Sequence, residues 1–468
     1  MAKPAGATCN LACSYCFYLD KEQLYPNSKF RMSDEVLREY IRQLIAAHGA
    51  PDVTVSWQGG EPTLMGLDFY RRAIELQEAF RKPGMRFENT MQTNGTLLDD
   101  EWCAFFKEND YLIGISIDGP AWLHNAYRVD KGGRPTFDRV MRGLRLLQKH
   151  GVEHNVLVAV NHTNADQPLE VYRFLRDEAR ATWIQFIPVV ERIGQTRVSE
   201  RSVQPEQFGR FLIQVFDEWV RHDVGRVYVQ TFEAAVRNWL GMPTSGMCVF
   251  EETCGLGLAL EHNGDVYSCD HFVEPAYRLG NIMEPAGGDT PPLLEMLTSE
   301  RQRRFGLDKR DALPGYCREC DVLFACHGEC PKNRFVRAPR SSGRSGGKPA
   351  PQGEPGLNYL CAGWKAFFHR IDEPLKLMKA LMHLGRPAAE IMPILAREED
   401  EWQQTLSEAR ARKRFAAPCP CGSGLRFGQC HGWERAPGGR SHRRVRPGRP
   451  RPPVRADFKG LAGSEPNG

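Results

Sequence analysis

The sequence predicts an α/β protein built around a parallel β-sheet, followed by a cysteine-rich second half. Between residues 50 and 240, short β-rich runs alternate with amphipathic helical stretches, the pattern of repeated strand–helix units. Glycines and polar residues follow several of these runs. With 468 residues, of which 41% are hydrophobic, the chain is long enough for one large domain with smaller appendages.

The predicted elements follow one another in a regular order. The strand VTVSW (53–57) precedes a helix over about residues 67–80, and the strand RFENTMQ (86–92) precedes a helix over about 99–108. Cys103 lies on the second of these helices and is expected to be a core thiol. Three further strands continue the series: YLIGISI (111–117), HNVLVAV (154–160) and WIQFIPVV (183–190).

The most informative motif lies before the first of these strands. Cys9, Cys13 and Cys16 stand in CNLACSYC with the spacing C-x3-C-x2-C. A four-iron, four-sulfur cluster takes four ligands, so three thiolates leave one iron open to a substrate or cofactor. A closed zinc site is the alternative, but it requires a fourth Cys or His close by, and the motif has none. We therefore expect a cluster with one open corner.

The ends of the predicted strands carry groups suited to a ligand. QGGEPTL follows the first strand: Gly59 and Gly60 allow the backbone to approach a ligand, and the carboxylate of Glu61 can accept a hydrogen bond from an ammonium group. QTNG (92–95) and SIDG (116–119) end the next strands, and Arg128 follows in HNAYR. Each group alone fits a loop hydrogen bond or a salt bridge equally well. Together, at successive strand ends, they indicate one pocket.

The second half contains eight further cysteines outside the C-terminal region: Cys248, Cys254, Cys269, Cys317, Cys320, Cys326, Cys330 and Cys361. EHNGDVYSCDHF predicts a β-hairpin with Asn263-Gly264 in its turn, which places Asp270 beside Cys269. The segment RAPRSSGRSGGKPAPQGEPG between the last two cysteines is too polar to pack, and we expect a disordered surface loop there.

The C-terminal region reads as a charged helical stretch followed by a small metal motif. Cys419, Cys421, Cys430 and His431 resemble the SEC-C motif, and three thiolates with one imidazole close a tetrahedral zinc site of structural or docking use. The tail after it, residues 434–455, holds eight Arg and one Glu. Because the whole chain carries +4, the rest has a small negative charge and no basic footprint for nucleic acid, while the tail is expected to be disordered and solvated.

Neither a secretory signal nor an apolar run long enough to cross a membrane is recognisable. Fifteen cysteines without such a signal favour metal or cluster ligation over disulfides. We therefore expect a cytoplasmic protein in a reducing environment.

CNLACSYC, with Tyr15 before its last cysteine, resembles the radical S-adenosylmethionine (SAM) superfamily. The resemblance implies a partial (β/α)6 barrel of TIM type with its active site at the carboxyl ends of the strands, and SAM chelated to the open iron. It implies SAM contacts from these residues: Tyr15, Gly59, Gly60, Glu61, Ser116, Arg128 and Val190. Members of this superfamily usually have a strand directly before the cluster loop. Only eight residues precede Cys9, so we expect either a very short first strand or, preferably, a start codon further upstream.

The cysteines of the second half resemble the SPASM domain, which holds two auxiliary four-iron clusters. The resemblance implies a crossed ligand pattern, with zinc at one of the two sites as the alternative. The first set would be Cys248, Cys254, Cys269 and Cys330, and the second Cys317, Cys320, Cys326 and Cys361. The resulting domain plan is a radical SAM core (1–240), a SPASM domain (241–385), a helical linker (386–414), the zinc motif (415–434) and the basic tail (435–468).

Within SPASM proteins, WQGGEPTLMGLDFY, GISIDGPAWLHNAYR and LCAGWKAFF resemble the anaerobic sulfatase-maturating enzymes, and the likeness extends over about residues 1–380. This implies oxidation of one Cys or Ser in a C/S-x-P-x-R motif of a sulfatase to Cα-formylglycine. It further implies a flavodoxin- or ferredoxin-type electron donor, and Asp270 as a proton acceptor. We expect the pKa of Asp270 to be raised, because it lies beside an anionic cluster and is partly shielded from water. A SPASM enzyme that modifies another peptide or protein, and a non-enzymatic iron–sulfur or zinc adaptor, remain the alternatives.

Overall fold

The computed structural model describes residues 1–49, 51–284, 290–339, 353–418 and 426. The chain divides into two compact units, Met1–Ala389 and Glu390–Gly468. The candidate ligands of the zinc motif, the basic tail and residues 340–352 of the polar insert lie outside the described residues. Along the described part of the chain, no helix is both long and apolar enough to cross a membrane.

The first unit is organised around one ten-stranded sheet with the order β12-β11-β10-β1-β2-β3-β4-β5-β6-β9. The described strands are β1 Ala2–Lys3, β2 Asp52–Trp57, β3 Arg86–Thr93, β4 Leu112–Ser116, β5 His154–Val160, β6 Trp183–Pro188, β7 Arg192–Ile193, β8 Arg197–Val198, β9 Tyr228–Val229, β10 Ala259–Glu261, β11 Asp265–Tyr267, β12 Arg278–Asn281, β13 Val336–Arg337 and β14 Pro355–Leu357. From β10 through β1 to β9 all neighbours are parallel, whereas β10–β11 and β11–β12 are antiparallel.

In the first unit, helices connect the successive parallel strands of the sheet. The helices of the described chain are α1 Asp34–Ala47, α2 Leu67–Phe80, α3 Asp100–Glu108, α4 Ala121–Asn125, α5 Phe137–His150, α6 Pro168–Arg173, α7 Pro205–His222, α8 Gln230–Leu240, α9 Pro292–Thr298, α10 Glu300–Asp311, α11 Gly315–Arg318, α12 Leu323–Cys326, α13 Cys361–His383 and, in the second unit, α14 Ile391–Ala416. Local chemistry sets their ends: Ser33 caps α1 by accepting a hydrogen bond from the Val36 amide, and α5 stops at the left-handed Gly151.

Successive side chains of each strand point to opposite faces of the sheet, and one of these faces packs against helices. In β2, Val53, Val55 and Trp57 are fully buried, and Trp57 meets the rings of Tyr40 and Tyr70 edge-on beneath α1 and α2. The sequence-predicted α/β class, the helix over 67–80 and the strand over 154–160 are confirmed. The strand predicted over 183–190 ends earlier, at Pro188, because a proline at the strand end stops the ladder.

The first strand is present and is only two residues long. β1 lies in the centre of the sheet, paired in parallel with β2 on one side and with β10 on the other. The amide of Leu260 donates to the carbonyl of Met1 at 2.9 Å, which fixes this junction. The predicted hairpin, β10–β11, therefore continues the same sheet, and only β10 separates β1 from β11, the strand that leads to Cys269 and Asp270.

Candidate functional site

The loop that follows β1 carries Cys9, Cys13 and Cys16 at the carboxyl edge of the sheet. All three side chains are half-buried, and none forms a disulfide. Burial, followed by the charge of Glu61, raises the pKa of Cys9 to about 12, and burial raises that of Cys13 to about 11. These thiols would release their protons on binding a metal, since the thiolate is the form that binds.

Backbone hydrogen bonds hold this loop against the rest of the sheet. The amides of Ala12 and Ser14 donate to the carbonyls of Val129 and Tyr127, at 2.9 and 3.1 Å. The amide of Gly60 donates to the carbonyl of Gly6 at 2.8 Å. The glycine-rich turn after β2 is therefore joined directly to the cysteine loop.

Glu61 is fully buried, and protein donors occupy both of its carboxylate oxygens. One oxygen accepts from the amide and hydroxyl of Thr63, at 3.1 and 2.6 Å, and from the hydroxyl of Thr93 at 2.7 Å. The other accepts from the amide of Asn94 at 2.8 Å. These bonds brace the turn, and the second oxygen, with one donor among the described residues, keeps acceptor capacity for an ammonium group. The contact of Glu61 with SAM stays a prediction, as do those of Gly59 and Gly60.

Tyr15, Asp118 and Arg128 form one buried cluster at the end of β4. The hydroxyl of Tyr15 donates to Asp118, and the Nε of Arg128 donates to the same carboxylate oxygen at 2.9 Å. The other oxygen of Asp118 accepts from the amide of Ala159 at 2.9 Å. The structure thus brings the predicted Tyr15 and Arg128 together through Asp118. The sequence analysis did not single out this carboxylate, although it stands inside the SIDG motif.

Ser116 ends β4 and Val190 follows β6, two strands of the sheet that are separated by β5. The hydroxyl of Ser116 accepts a hydrogen bond from Gln92 at 3.1 Å, and Ser116 is 8% exposed. Val190 is buried two residues beyond the end of β6. Their contacts with SAM stay predictions.

Asp270 begins a short 3-10 turn directly after Cys269, and its charged partner comes from β1. Lys3 and Asp270 form an ion pair, and the Lys3 ammonium also lies 4.2 Å from the ring centre of Tyr18. The side chain of Lys3 is 2% exposed and that of Asp270 18%. The sequence analysis missed Lys3, because its role depends on the pairing of β1 with a strand more than 250 residues away.

Among the groups of the chain itself, Lys3 opposes the expected raised pKa of Asp270. Burial raises the pKa of this carboxyl, but the neighbouring charge of Lys3, with a smaller effect of His271, holds it below its ordinary value. The prediction counted shielding from water and an anionic cluster beside Cys269, but not the cation that β1 supplies; for the cluster-bound protein it stays a prediction.

Phe17 connects the first cysteine loop to the second half of the chain. The Phe17 ring packs edge-on against the ring of His271, with 5.8 Å between the ring centres. The ammonium of Lys332 lies 4.5 Å from the centre of the Phe17 ring. The Nδ1 of His271 lies 3.4 Å from the Sγ of Cys330. The loop of Cys16, the carboxylate of Asp270 and the segment of Cys330 therefore border one region.

The remaining eight cysteines fall into two electrostatic groups. Burial raises the pKa of Cys269 to about 12, and the nearby thiols that add to it are Cys248 and Cys254. Burial also raises the pKa of Cys330, with contributions from Glu329, Cys269 and Cys248. The pKa of Cys361, raised to about 12 by burial, is affected by Cys317 and Cys320 instead.

The same separation appears in the packing around the second group. Cys317, Cys320, Cys326 and Cys361 line one cavity, together with apolar residues such as Leu323 and Leu357. Among the described residues, no three His, Cys, Asp or Glu side chains converge on a point as a single metal ion requires. Four thiols around one cavity, of which that of Cys317 is buried and the others are half-buried, fit a multi-iron cluster better, because its ligands attach to different irons. The individual ligand assignments stay predictions.

Comparison with known proteins agrees with this geometry. Residues 4–175 match the family model of the radical SAM superfamily, residues 252–321 match that of an iron–sulfur cluster-binding domain of SPASM type, and residues 417–432 match that of the SEC-C motif.

Among curated relatives, the chain is similar to both serine-type and cysteine-type anaerobic sulfatase-maturating enzymes. It is 46% identical over 411 residues to the serine-type anaerobic sulfatase-maturating enzyme of Bacteroides thetaiotaomicron, covering 84% of this chain and 94% of the relative. It is 32% identical to the cysteine-type enzyme of Clostridium perfringens, covering 79% and 94%. The solved structure of native anSMEcpe with bound AdoMet superposes with a TM-score of 0.71 at 30% identity, covering 81% of this chain and 98% of that one. The same protein has also been solved with AdoMet and a peptide, Cp18Cys, at a TM-score of 0.69.

Proposed function

The chain belongs to the anaerobic sulfatase-maturating enzymes of the radical SAM superfamily, and from this premise we propose that it oxidises one Ser or Cys of a C/S-x-P-x-R sulfatase segment to Cα-formylglycine. The observation that carries the proposal is the position of Asp270, on a buried ion pair with Lys3, in the region bordered by the Cys16 loop and the Cys330 segment. A non-enzymatic adaptor would not need a carboxylate held between the two.

Cys9, Cys13 and Cys16 would hold a four-iron cluster with one open iron, and SAM bound there would supply a 5'-deoxyadenosyl radical able to remove one hydrogen atom from the substrate Cβ. The turn with Gly59, Gly60 and Glu61 and the Tyr15–Asp118–Arg128 cluster would orient SAM; Ser116 and Val190 would complete the pocket. Asp270 takes the proton of the substrate hydroxyl or thiol. The one remaining electron passes to the cysteine-rich half. The hydrogen atom, the proton and this electron together amount to two hydrogen atoms, and their loss converts a serine to an aldehyde. A cysteine becomes a thioaldehyde that water hydrolyses.

Further parts of the proposal concern partners and the C-terminal region. A flavodoxin- or ferredoxin-type protein would supply the electron that starts each cycle, and a reducing cytoplasm would suit the clusters. Zinc would bind Cys419, Cys421, Cys430 and His431. The domain boundaries at 240, 385, 414 and 434 are retained as proposals.

The test uses anaerobically reconstituted protein with reductant, SAM and two matched peptides that differ only in Ser or Cys at the reacting position. The greater identity with a serine-type relative makes the Ser peptide the first choice. We expect a lighter peptide by mass spectrometry and one 5'-deoxyadenosine per product.

Asp270→Asn should lower peptide oxidation by two orders of magnitude or more, in the range of a lost general base (about 10²–10⁴-fold), while SAM cleavage persists. Glu274→Gln, four residues away and paired with Lys21 at 3.8 Å, is the matched control and should behave as the wild type. SAM cleavage with both peptides unchanged would instead favour a SPASM enzyme with another peptide substrate.

A further inference from the structure

Two cations, one fully buried and one half-buried, lie between the two groups of cysteines in the second half of the chain. Lys309, on α10, is 1% exposed, and its ammonium donates to the carbonyls of Cys248, Val249 and Glu251 at 2.7, 3.0 and 2.5 Å. Three acceptors require three N–H donors, which only the protonated form provides. The geometry therefore fixes a positive charge beside the segment that carries Cys248.

Arg334 continues this arrangement towards the second group. Its guanidinium donates to the backbone carbonyls of Lys309, His327, Gly328 and Glu329, at distances between 2.5 and 3.1 Å. Residues 327–329 form the turn between Cys326 and Cys330, and all three adopt left-handed backbone angles. Arg334 thus stabilises the turn between Cys326, which is expected in the second cysteine set, and Cys330, which is expected in the first.

Neither cation forms a salt bridge within the described residues, since every hydrogen bond that Lys309 and Arg334 donate ends on a backbone carbonyl. The carboxylate of Glu329 lies nearby but accepts from Asn333 and Asn358. Buried charges in proteins are normally paired. The thiols whose charges act on Lys309 are Cys254, Cys248 and Cys330, and those that act on Arg334 include Cys317 and Cys326.

We propose that Lys309 and Arg334 are the counter-charges of the two auxiliary clusters and that they raise the reduction potentials of these clusters, Lys309 chiefly at the set of Cys248, Cys254, Cys269 and Cys330. A positive charge stabilises the state that has gained an electron, because that state is one unit more negative. The inference rests on the proposed function: one electron leaves the substrate beside Asp270, and Cys269 is the adjoining residue of the first set. Lys309 and Arg334 are positioning residues, which touch neither substrate nor reacting atoms.

The experiment measures midpoint potentials of the reconstituted, full-length enzyme by electron paramagnetic resonance during a redox titration. Lys309→Met removes the charge at similar length, and Lys309→Arg keeps it. We expect Lys309→Met to lower the potential of one auxiliary cluster by about 59 mV or more, a tenfold change for a one-electron couple. Lys309→Arg should stay closer to wild type, and the N-terminal cluster should not shift in either variant.

Lys82→Met is the matched control, because the ammonium of Lys82 also donates to backbone carbonyls. Its acceptors are the carbonyls of Ile45 and Ala46 in α1, which carries none of the cluster cysteines. It should leave all three potentials unchanged. Arg334→Gln, compared with Arg334→Lys, repeats the test with a second charge and should shift both auxiliary clusters.

Equal shifts in Lys309→Met and Lys309→Arg would overturn the proposal, because the effect would then follow geometry and not charge. Full iron content with unchanged potentials in Lys309→Met and Arg334→Gln would also overturn it. Loss of iron from the first set in Lys309→Met, with retention in Lys309→Arg, would support it. Failure of the wild type to oxidise either sulfatase peptide would count against the proposed function only, since the potentials are measured without peptide.

Discussion

Several residues at the site serve to join the cysteine loop to the strand ends, and Gly60 shows this most directly. A Cβ at this position would lie 2.0 Å from the carbonyl oxygen of Thr8, which is far inside van der Waals contact. The Gly60 amide meanwhile donates to Gly6, and Glu61 braces the turn from below. The glycine is therefore required for the approach of two backbone segments, apart from any contact with SAM.

Gly60→Ala should disrupt the N-terminal site while the rest of the protein folds. The clash involves backbone on both sides, so the two segments must separate, at a cost of about 1–3 kcal/mol or more. We expect at least a tenfold loss of SAM affinity, measured by equilibrium binding to the reconstituted enzyme, and selective loss of the N-terminal cluster signal. Gly49→Ala, whose added methyl group would meet nothing within 4 Å, is the control. Unchanged SAM binding in Gly60→Ala would show that the close approach is not needed.

His124 links the SAM-pocket cluster to stability in a pH-dependent way. It is fully buried, its Nδ1 accepts from the amide of Asp118, and its Nε2 contacts the hydroxyl of Thr136 at 3.1 Å. Burial lowers the pKa of His124 from 6.5 to about 4. The unfolded chain therefore binds this proton more readily than the folded one, and the folded state loses stability as the pH falls below 6.5.

His124→Gln should remove that contribution. The variant is expected to be less stable than the wild type at neutral pH, because two hydrogen bonds are weakened. The difference in free energy of unfolding should shrink by about 2 kcal/mol on going to about pH 5, where the wild type carries the cost of its neutral histidine. Denaturant unfolding of the protein without iron at both pH values measures the difference. A pH-independent difference would contradict the buried neutral state.

At the level of elements, the junction of β1 with β10 decides where Asp270 lies. Periodicity predicts the strands and helices of the first half well, because each is a local pattern, and the NG turn predicts the hairpin. It cannot predict that the hairpin joins the central sheet through a two-residue strand, since neither β1 nor its partner carries a local signal for that pairing. Lys3 and the lowered pKa of Asp270 were missed for the same reason.

Leu260→Pro tests this junction. Proline removes the amide that donates to Met1 and leaves that carbonyl without its partner in the middle of the sheet. We expect a loss of at least about 2 kcal/mol in the free energy of unfolding, together with loss of peptide oxidation and retention of SAM cleavage. Leu256→Pro, at a side chain that is 88% exposed, is the control. Peptide oxidation at the wild-type level in Leu260→Pro would mean that the hairpin is positioned by other contacts.

Over the whole molecule, the cysteine pattern predicts far more than the rest of the sequence. Through its resemblance to the radical SAM and SPASM patterns, the order of the cysteines implies three clusters before any contact is known. The cavity lined by Cys317, Cys320, Cys326 and Cys361 agrees with one of the two implied sets, and the ligand assignments stay predictions. No sequence pattern predicts the positions of the two cations, Lys309 and Arg334, that lie between these cysteine groups. Lys309 stands 55 residues after Cys254 on a polar helix, and only the folded chain shows that its ammonium is buried beside Cys248.

The crossed pattern makes its sharpest prediction for two cysteines that are close in sequence. Cys326 and Cys330 lie four residues apart, on either side of the turn that Arg334 holds, and the resemblance assigns them to different sets. Cys326→Ala should therefore destabilise one auxiliary cluster and Cys330→Ala the other, each lowering the iron content from about twelve towards about eight per chain. Iron analysis with Mössbauer and electron paramagnetic resonance spectra of the two variants measures this. Cys103→Ala, at a fully buried thiol on α3, should keep all three clusters. If both variants lost the same spectral component, the ligands would be grouped by sequence neighbourhood, and the arrangement of Lys309 and Arg334 between two distinct clusters would lose its basis.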